Sequence, residues 1–302
     1  MKRSVALLRK GTSLILFSLF LSTVAVLSSG QAADLRDLED ILGRTGVMQE
    51  GALVFRFPRG DIQVTIDAES VPTALGFGGW TAWKDMGDTA LVMGDLVLLE
   101  KEINPVISAL AEAHIQVTAL HNHFIGEKPR IMFLHISGTG EATTMARGLR
   151  SALDQTATPK LQAPPAAPAP QPKLNLDTKQ IEQIIGRSGA AGGGVFKITV
   201  GHPGVTVDGD ELTASMGLNS WAAFVGTNER AHVAGDIAMT GPEVNRVIRA
   251  LRSGSIDIVA VHNHMLSEEP RIFFLHYWGT GKAKELARTV RQAFDEVKGP
   301  AK

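Results

Sequence analysis

A fifteen-residue segment occurs twice in this chain. His121 to His135 reads HNHFIGEKPRIMFLH and His262 to His276 reads HNHMLSEEPRIFFLH, identical at ten positions and apolar in both at three more. The offset of 141 residues also carries Trp80 onto Trp221, Gly94-Asp95 onto Gly235-Asp236, Glu102 onto Glu243 and Asn104 onto Asn245. It aligns the Gly-Thr-Gly at 138 with that at 279, and near the start an offset of 143 matches Gly43-Arg44-Thr45-Gly46 with Gly186-Arg187-Ser188-Gly189. An internal repeat of this length means two modules of about 120 residues each, an ordinary domain size.

The ends and the middle read differently from the repeats. Lys2, Arg3, Arg9 and Lys10 precede an apolar run from Leu14 to Leu27, and Gly30 and Ala32 are small residues at the −3 and −1 positions of a cleavage site. That pattern predicts a secretory signal peptide over 1–32, with an apolar run too short to span a bilayer. Between the repeats, 156–177 carries six prolines from Pro159 to Pro172 interleaved with alanine and glutamine, the composition of an extended, solvated linker. The expected domains are therefore a first module over 33–155 and a second over 178–302, either docked together or merely tethered.

Each module shows the same order of elements. An amphipathic helix (35–42; 178–185) stops at a glycine. In the first module a strand pair over 53–57 and 62–66 follows, turning at Pro58-Arg59-Gly60-Asp61, and then come 76–83 with 89–98, matched by 217–224 with 231–238. A helix begins next, announced in the second copy by a capping box, Thr240 with Glu243 and Pro242 in the first turn. A strand runs into His-Asn-His, another strand returns, and a last helix opens after Gly-Thr-Gly. This predicts an α+β fold: two homologous modules, each a mixed or antiparallel sheet with covering helices, ending in a β-α-β-β-α unit.

Six of the nine histidines fall in the repeated block. Residues two apart on a strand point the same way, so His121 with His123, and His262 with His264, can each present two imidazoles as a chelate. A carboxylate four residues on, Glu127 or Glu268, offers an oxygen ligand or a base, and imidazole with carboxylate suits zinc or another divalent transition metal. His135 and His276 are possible third ligands whose face depends on register. With a plain six-residue connection His121 lies opposite Met132 and His135 points away; a single bulge reverses this.

The neighbours of the block carry further readings. Arg130 and Arg271, each after a proline, suit a ligand carboxylate or phosphate, or else an ion pair to Glu127 or Asp95. Asp95 and Asp236 follow a glycine inside apolar strands, where an acid needs a histidine or arginine partner, and so are candidates for orienting a ligating histidine. Trp80, Trp83 and Trp221 read as core before sugar platforms. The glycines of Gly-Thr-Gly read as helix caps before an anion site.

Composition removes several alternatives. The chain has 302 residues and no cysteine, which excludes disulfides, thiolate metal sites and a lipidated cysteine. Without the four leader cations, 26 basic residues face 31 acidic ones, which argues against nucleic acid as a partner. No GxSxG elbow, Walker loop, HExxH helix or GxGxxG fingerprint is present.

The HNH-loop-PRI-x-FLH block, followed by Gly-Thr-Gly and a helix, resembles the bacterial exported family of unknown function that includes the mycobacterial lipoproteins LppY and LpqO. That resemblance implies export but supplies no catalytic residue. Lacking a cysteine to lipidate, the chain is expected to be soluble in the periplasm or secreted, with no membrane span after signal cleavage.

Three functions remain open on these residues. The first is a divalent-metal-binding protein with one site per module, able to act as a metal-dependent hydrolase of the cell envelope if open coordination positions face a cleft. The second is a non-catalytic module for metal or a small envelope ligand, and the third is a structural or interaction scaffold.

Overall fold

A computed structural model describes Leu35 and residues 37–66, 68–158 and 174–298. The expected signal peptide and the proline run lie outside the described residues. The first module comprises α1 (Asp37–Leu42), β1 (Val47–Gln49), β2 (Ala52–Pro58), β3 (Val64–Ile66), β4 (Glu69–Val71), β5 (Gly78–Asp85), β6 (Ala90–Leu99), α2 (Ile103–Glu112), β7 (Gln116–His121), β8 (Ile131–Gly140) and α3 (Ala142–Leu153). The second repeats the pattern with α4 (Thr178–Ile185), β9 (Gly189–Gly192), β10 (Val195–Gly201), β11 (Thr206–Val207), β12 (Asp210–Glu211), β13 (Asn219–Gly226), β14 (Ala231–Thr240), α5 (Gly241–Ser253), β15 (Asp257–His262), β16 (Glu268–Glu269), β17 (Ile272–Gly281) and α6 (Ala283–Asp295). The α+β, two-module expectation is borne out.

Each module is built on a six-stranded sheet, ordered β1-β2-β5-β6-β8-β7 in the first and β15-β17-β14-β13-β10-β9 in the second, with every pairing antiparallel. Alternation along the strands divides the faces. Phe55, Val92, Leu96, Leu134 and Ile136 point to one side, where Leu38, Leu42, Val106, Leu110, Ala146 and Leu149 of the three helices cover them. The second module has the matching core, with Phe224, Val233, Leu275 and Tyr277 under α4, α5 and α6.

The opposite faces do not meet solvent. Val54, Ala82, Leu91 and Met93 share a core with Val205, Leu212, Met216, Ile272 and Phe274 of the second module. Reciprocally, Ala223, Ala234 and Trp278 share one with Val64, Ile66, Leu75, Phe77, Phe124 and Phe133 of the first. The modules are thus docked face to face, the segments between β2 and β5 and between β10 and β13 each covering part of the other module. Polar contacts close the rim: the Ser215 amide donates to Glu50 (2.9 Å) and Lys84 reaches Asp210 (3.3 Å).

Two local expectations give way. Residues 62–66 do not pair with β2, which instead lies between β1 and β5. Arg59 explains the departure: its guanidinium is 1% exposed and binds Glu102 (2.8 Å), Asp61 (2.8 Å) and the Val97 carbonyl (2.6 Å), turning the chain away from the sheet. Gly-Thr-Gly belongs to the strands rather than to helix caps, since Gly138, Thr139 and Gly140 pair with Val92, Leu91 and Ala90. Glu141 caps α3 instead, accepting from the Thr143 and Thr144 amides.

Candidate metal centre

The His-Asn-His triplet ends an edge strand in both modules. In each, the asparagine holds the turn rather than the site: the Asn122 and Asn263 amides donate to the Phe124 and Met265 carbonyls, both at 2.7 Å. The returning strand pairs with His121 opposite Phe133 and Ala119 opposite His135, one residue off the plain-connection register, and a bulge follows at Thr118. His135 is therefore on the same face as His121, the face turned toward the other module. The second module repeats this with His262 opposite Phe274 and Ala260 opposite His276.

Docking brings the six histidines into one cluster. His121 stacks on His262 across the module boundary with ring centroids 3.7 Å apart, and His123 with His276 and His135 with His264 both approach to 3.8 Å. His123 and His264 also lie flat on Phe133 and Phe274. Thr118 at the bulge ties the boundary, its hydroxyl donating to the His264 carbonyl (2.6 Å) while Asn263 donates to the Thr118 carbonyl (3.0 Å). Asp95 and Asp236 reach the cluster from the central strands: Asp95 is 3.7 Å from His123, and Asp236 is 3.6 Å from His264 and 3.8 Å from His276.

The protonation pattern follows from the partners. Nδ1 of His135 faces the Gly94 carbonyl (3.3 Å) and that of His276 the Gly235 carbonyl (3.2 Å); Nδ1 of His121 and His262 face the carbonyls of Asn122 (3.4 Å) and Asn263 (3.2 Å). A carbonyl only accepts, so each Nδ1 carries the proton, and in the neutral ring Nε2 is a lone pair. The rings are held neutral: burial, with repulsion between neighbouring imidazoles, lowers His121 to about 3 and pushes His123, His135, His262 and His276 well below the ordinary value. Burial and the nearby Asp236 raise Asp95 well above the usual carboxylate range.

Nε2 of all six histidines and Oδ1 of both aspartates are buried without a hydrogen-bond partner. Each such atom costs about 1–3 kcal/mol unless something answers it. Three groups bring one donor atom per residue within 4.8 Å of one another: His121, His123 and His276; His121, His135 and His262; and Asp236, His262 and His276. These could hold a metal ion, and each draws on both modules or on a histidine shared with a group that does.

The other sequence candidates lie outside these groups. Glu127 and Glu268 are buried and accept from the amides of Ile131 (3.3 Å) and Ile272 (3.0 Å), fastening the start of the returning strand. Burial raises the Glu127 pKa against the pull of its own amide, the Ile131 amide and Arg130. Arg271 contacts Glu268 (3.3 Å) and donates to the Leu266 carbonyl, while Arg130 is exposed. Trp83 is core, whereas Trp80 and Trp221 line a cavity of about 460 Å³ together with His123, His135, His264 and His276. Arg56 and Lys197 line it too, and sequence reasoning missed them. The signal was available: they are equivalent under the 141-residue offset, and each is a lone cation between core residues, Phe55 and Phe57 or Phe196 and Ile198.

Among solved structures, the chain is similar to the trimeric bacterial microcompartment shell protein PduB (13% identity, 84% of this chain and 91% of that chain, TM-score 0.21). It is similar also to EtuB from Clostridium kluyveri (10% identity, 83% and 90%, TM-score 0.21). At that TM-score neither likeness bears on fold or function. No curated protein sequence matches the chain. No helix among the described residues is long and apolar enough to cross a membrane. Residues 36–155 and 179–296 each match the family described as Domain of Unknown Function (DUF1259), and with two tandem copies spanning most of its length the chain belongs to that family.

Proposed function

We propose that the protein binds a divalent transition-metal ion at a single centre shared by its two modules. The observation that carries this is the convergence of buried Nε2 lone pairs, four of them on rings whose Nδ1 is fixed by a backbone carbonyl, the arrangement found around ligating histidines. The ion would be held by one of the converging groups that span both modules, His121 with His123 and His276 or His121 with His135 and His262, with His264 and the two aspartates adjoining. The donor groups overlap through His121, His262 and His276, which favours one centre over one site per module. An imidazole-rich set suits zinc, copper, nickel or iron. Such an ion supplies Lewis acidity, the chemistry an ester, amide or phosphate hydrolase of the cell envelope needs, and the adjoining cavity gives substrate room. The basic-then-apolar N-terminal sequence and the resemblance to the LppY and LpqO proteins support export to the periplasm or beyond, with 156–177 as the linker.

The test is metal content by elemental mass spectrometry on tag-free full-length protein, beside the H121A/H123A and H262A/H264A variants. Each double variant should lose all the metal, because each removes part of the shared centre. A folded wild type that contains none and takes up no added zinc, copper, nickel or iron overturns the proposal.

A further inference from the structure

The cavity beside the cluster has an order that the metal reading leaves unused. Its lining comes in pairs related by the repeat: Gly76 and Gly217, Trp80 and Trp221, Asp95 and Asp236, Arg56 and Lys197. Each tryptophan lies against the other module's glycine. A Cβ on Gly217 would stand 2.7 Å from the Trp80 ring, and one on Gly76 would stand 3.5 Å from Trp221. Gly76 and Gly217 both have positive φ, and the turns they make keep the six-membered ends of the two indoles at the cavity wall.

Arg56 and Lys197 occupy equivalent positions on β2 and β10. The Lys197 ammonium sits 4.1 Å over the Trp221 ring. Among the described residues neither cation has a carboxylate partner, and Glu50, which shares the lining, is engaged by the Ser215 amide. Both side chains keep an exposed surface; desolvation by the cavity wall, then the charge of Arg56, lowers Lys197 to about 8 against the opposing pull of Asp236, and desolvation lowers Arg56. Two unpaired cations converging in a concave site beside aromatic faces are the chemistry of an oxyanion receptor with an apolar platform.

The geometry points to this cavity as the binding site for a small organic anion, one per chain, whose carboxylate or phosphate is held by Arg56 and Lys197 and whose flat apolar body lies on Trp80 and Trp221. It rests on the proposed metal centre only for its orientation toward the histidines, since the cations and tryptophans are not metal donors. The site therefore names a substrate class for the centre, aromatic or cyclic acids and phosphate esters, over neutral or cationic molecules.

Isothermal titration of the full-length protein with phenylacetate, phenyl phosphate and neutral phenylacetamide tests this, in metal-loaded and chelated forms. One equivalent of phenylacetate or phenyl phosphate should bind, with phenylacetamide at least tenfold weaker. R56Q/K197Q should weaken the anion at least tenfold with metal content unchanged, W80A/W221A should weaken it as well, and R56K should retain most of the affinity. Circular dichroism confirms that each variant is folded. Anion binding that survives chelation but is lost in R56Q/K197Q upholds the site even where the metal reading fails. Equal binding of anion and amide, an unaffected R56Q/K197Q variant, or no binding of either anion to either form overturns it.

Discussion

Lowering the pH of the metal-free protein should unfold it well above the acid range in which most domains fail. Five histidines, His121, His123, His135, His262 and His276, have folded pKa values far below the ordinary 6.5. A base whose pKa is depressed by folding contributes no penalty above 6.5. Below it the unfolded chain takes up a proton that the folded chain refuses, so stability falls until the folded pKa is reached. For His121 the window runs from 6.5 to about 3. At pH 5.5 each such ring costs about 1.4 kcal/mol, so the five together cost about 7 kcal/mol. Asp95 acts in the opposite sense, because its raised pKa lets the folded state take up a proton first, and it returns about 1.4 kcal/mol per pH unit at most. A net loss of about 4–7 kcal/mol between pH 7.5 and 5.5 is comparable to the whole stability of an ordinary domain, about 5–15 kcal/mol. Urea unfolding in EDTA at pH 7.5, 6.5 and 5.5 gives the slope directly. A triple variant, H121Q/H135Q/H276Q, should flatten it by about two protons between pH 6.5 and 5.5. A slope below one proton across that range, or a triple variant with the wild-type slope, would refute the neutral buried cluster.

Three further substitutions probe the frame around the site. Arg59→Ala strips the partner from Glu102, which is 5% exposed, and should cost about 3–5 kcal/mol in urea unfolding; a cost under 1 kcal/mol would mean that solvent reaches the pair. Gly217→Ala should cost about 2–4 kcal/mol, from a left-handed backbone (φ +88°) and a Cβ against the Trp80 ring. Gly76→Ala has no steric clash, its nearest neighbour being 3.5 Å away, but its backbone (φ +148°) is itself closed to a side chain, so it too should destabilise; a cost under 1 kcal/mol for Gly217→Ala would refute the close approach of Trp80.

Most of the architecture was legible because it is local. The repeat, the helices stopped by Gly186 or opened by Thr240 and Glu243, and the β-α-β-β-α unit all follow from periodicity and capping chemistry. The face of His135 turned on a one-residue difference in the connection between β7 and β8, which no pattern in 124–129 announces. Residues 62–66 alternate as a β2 partner would, and what diverts them is a charge pair to Glu102, forty-three residues from Arg59. The pairing of His121 with His262 depends on how two sheets dock, a non-local matter. Glu127 and Glu268 satisfied a spacing rule for ligands, yet the same spacing puts each within reach of an amide at the start of the next strand. Arg56 and Lys197 were hidden because an exposed cation between two core residues reads as ordinary outward alternation, and only the docking of the two sheets places both in the lining of one cavity.

The docking of the two modules gives the duplication a thermodynamic meaning. In the proposed centre the histidines come from both modules, so a chain with one copy would have to pair with a second chain to build it, and its occupancy would fall with dilution. Joining the copies makes the assembly intramolecular, at an effective concentration set by the tether rather than by the abundance of the protein. It also releases the halves from identity. A symmetric pair must accept every substitution twice, whereas here Arg56 answers Lys197, Ile136 answers Tyr277, and Thr118, which bonds across the boundary, answers Val259. One half can thus be tuned for holding the ligand while the other keeps the frame.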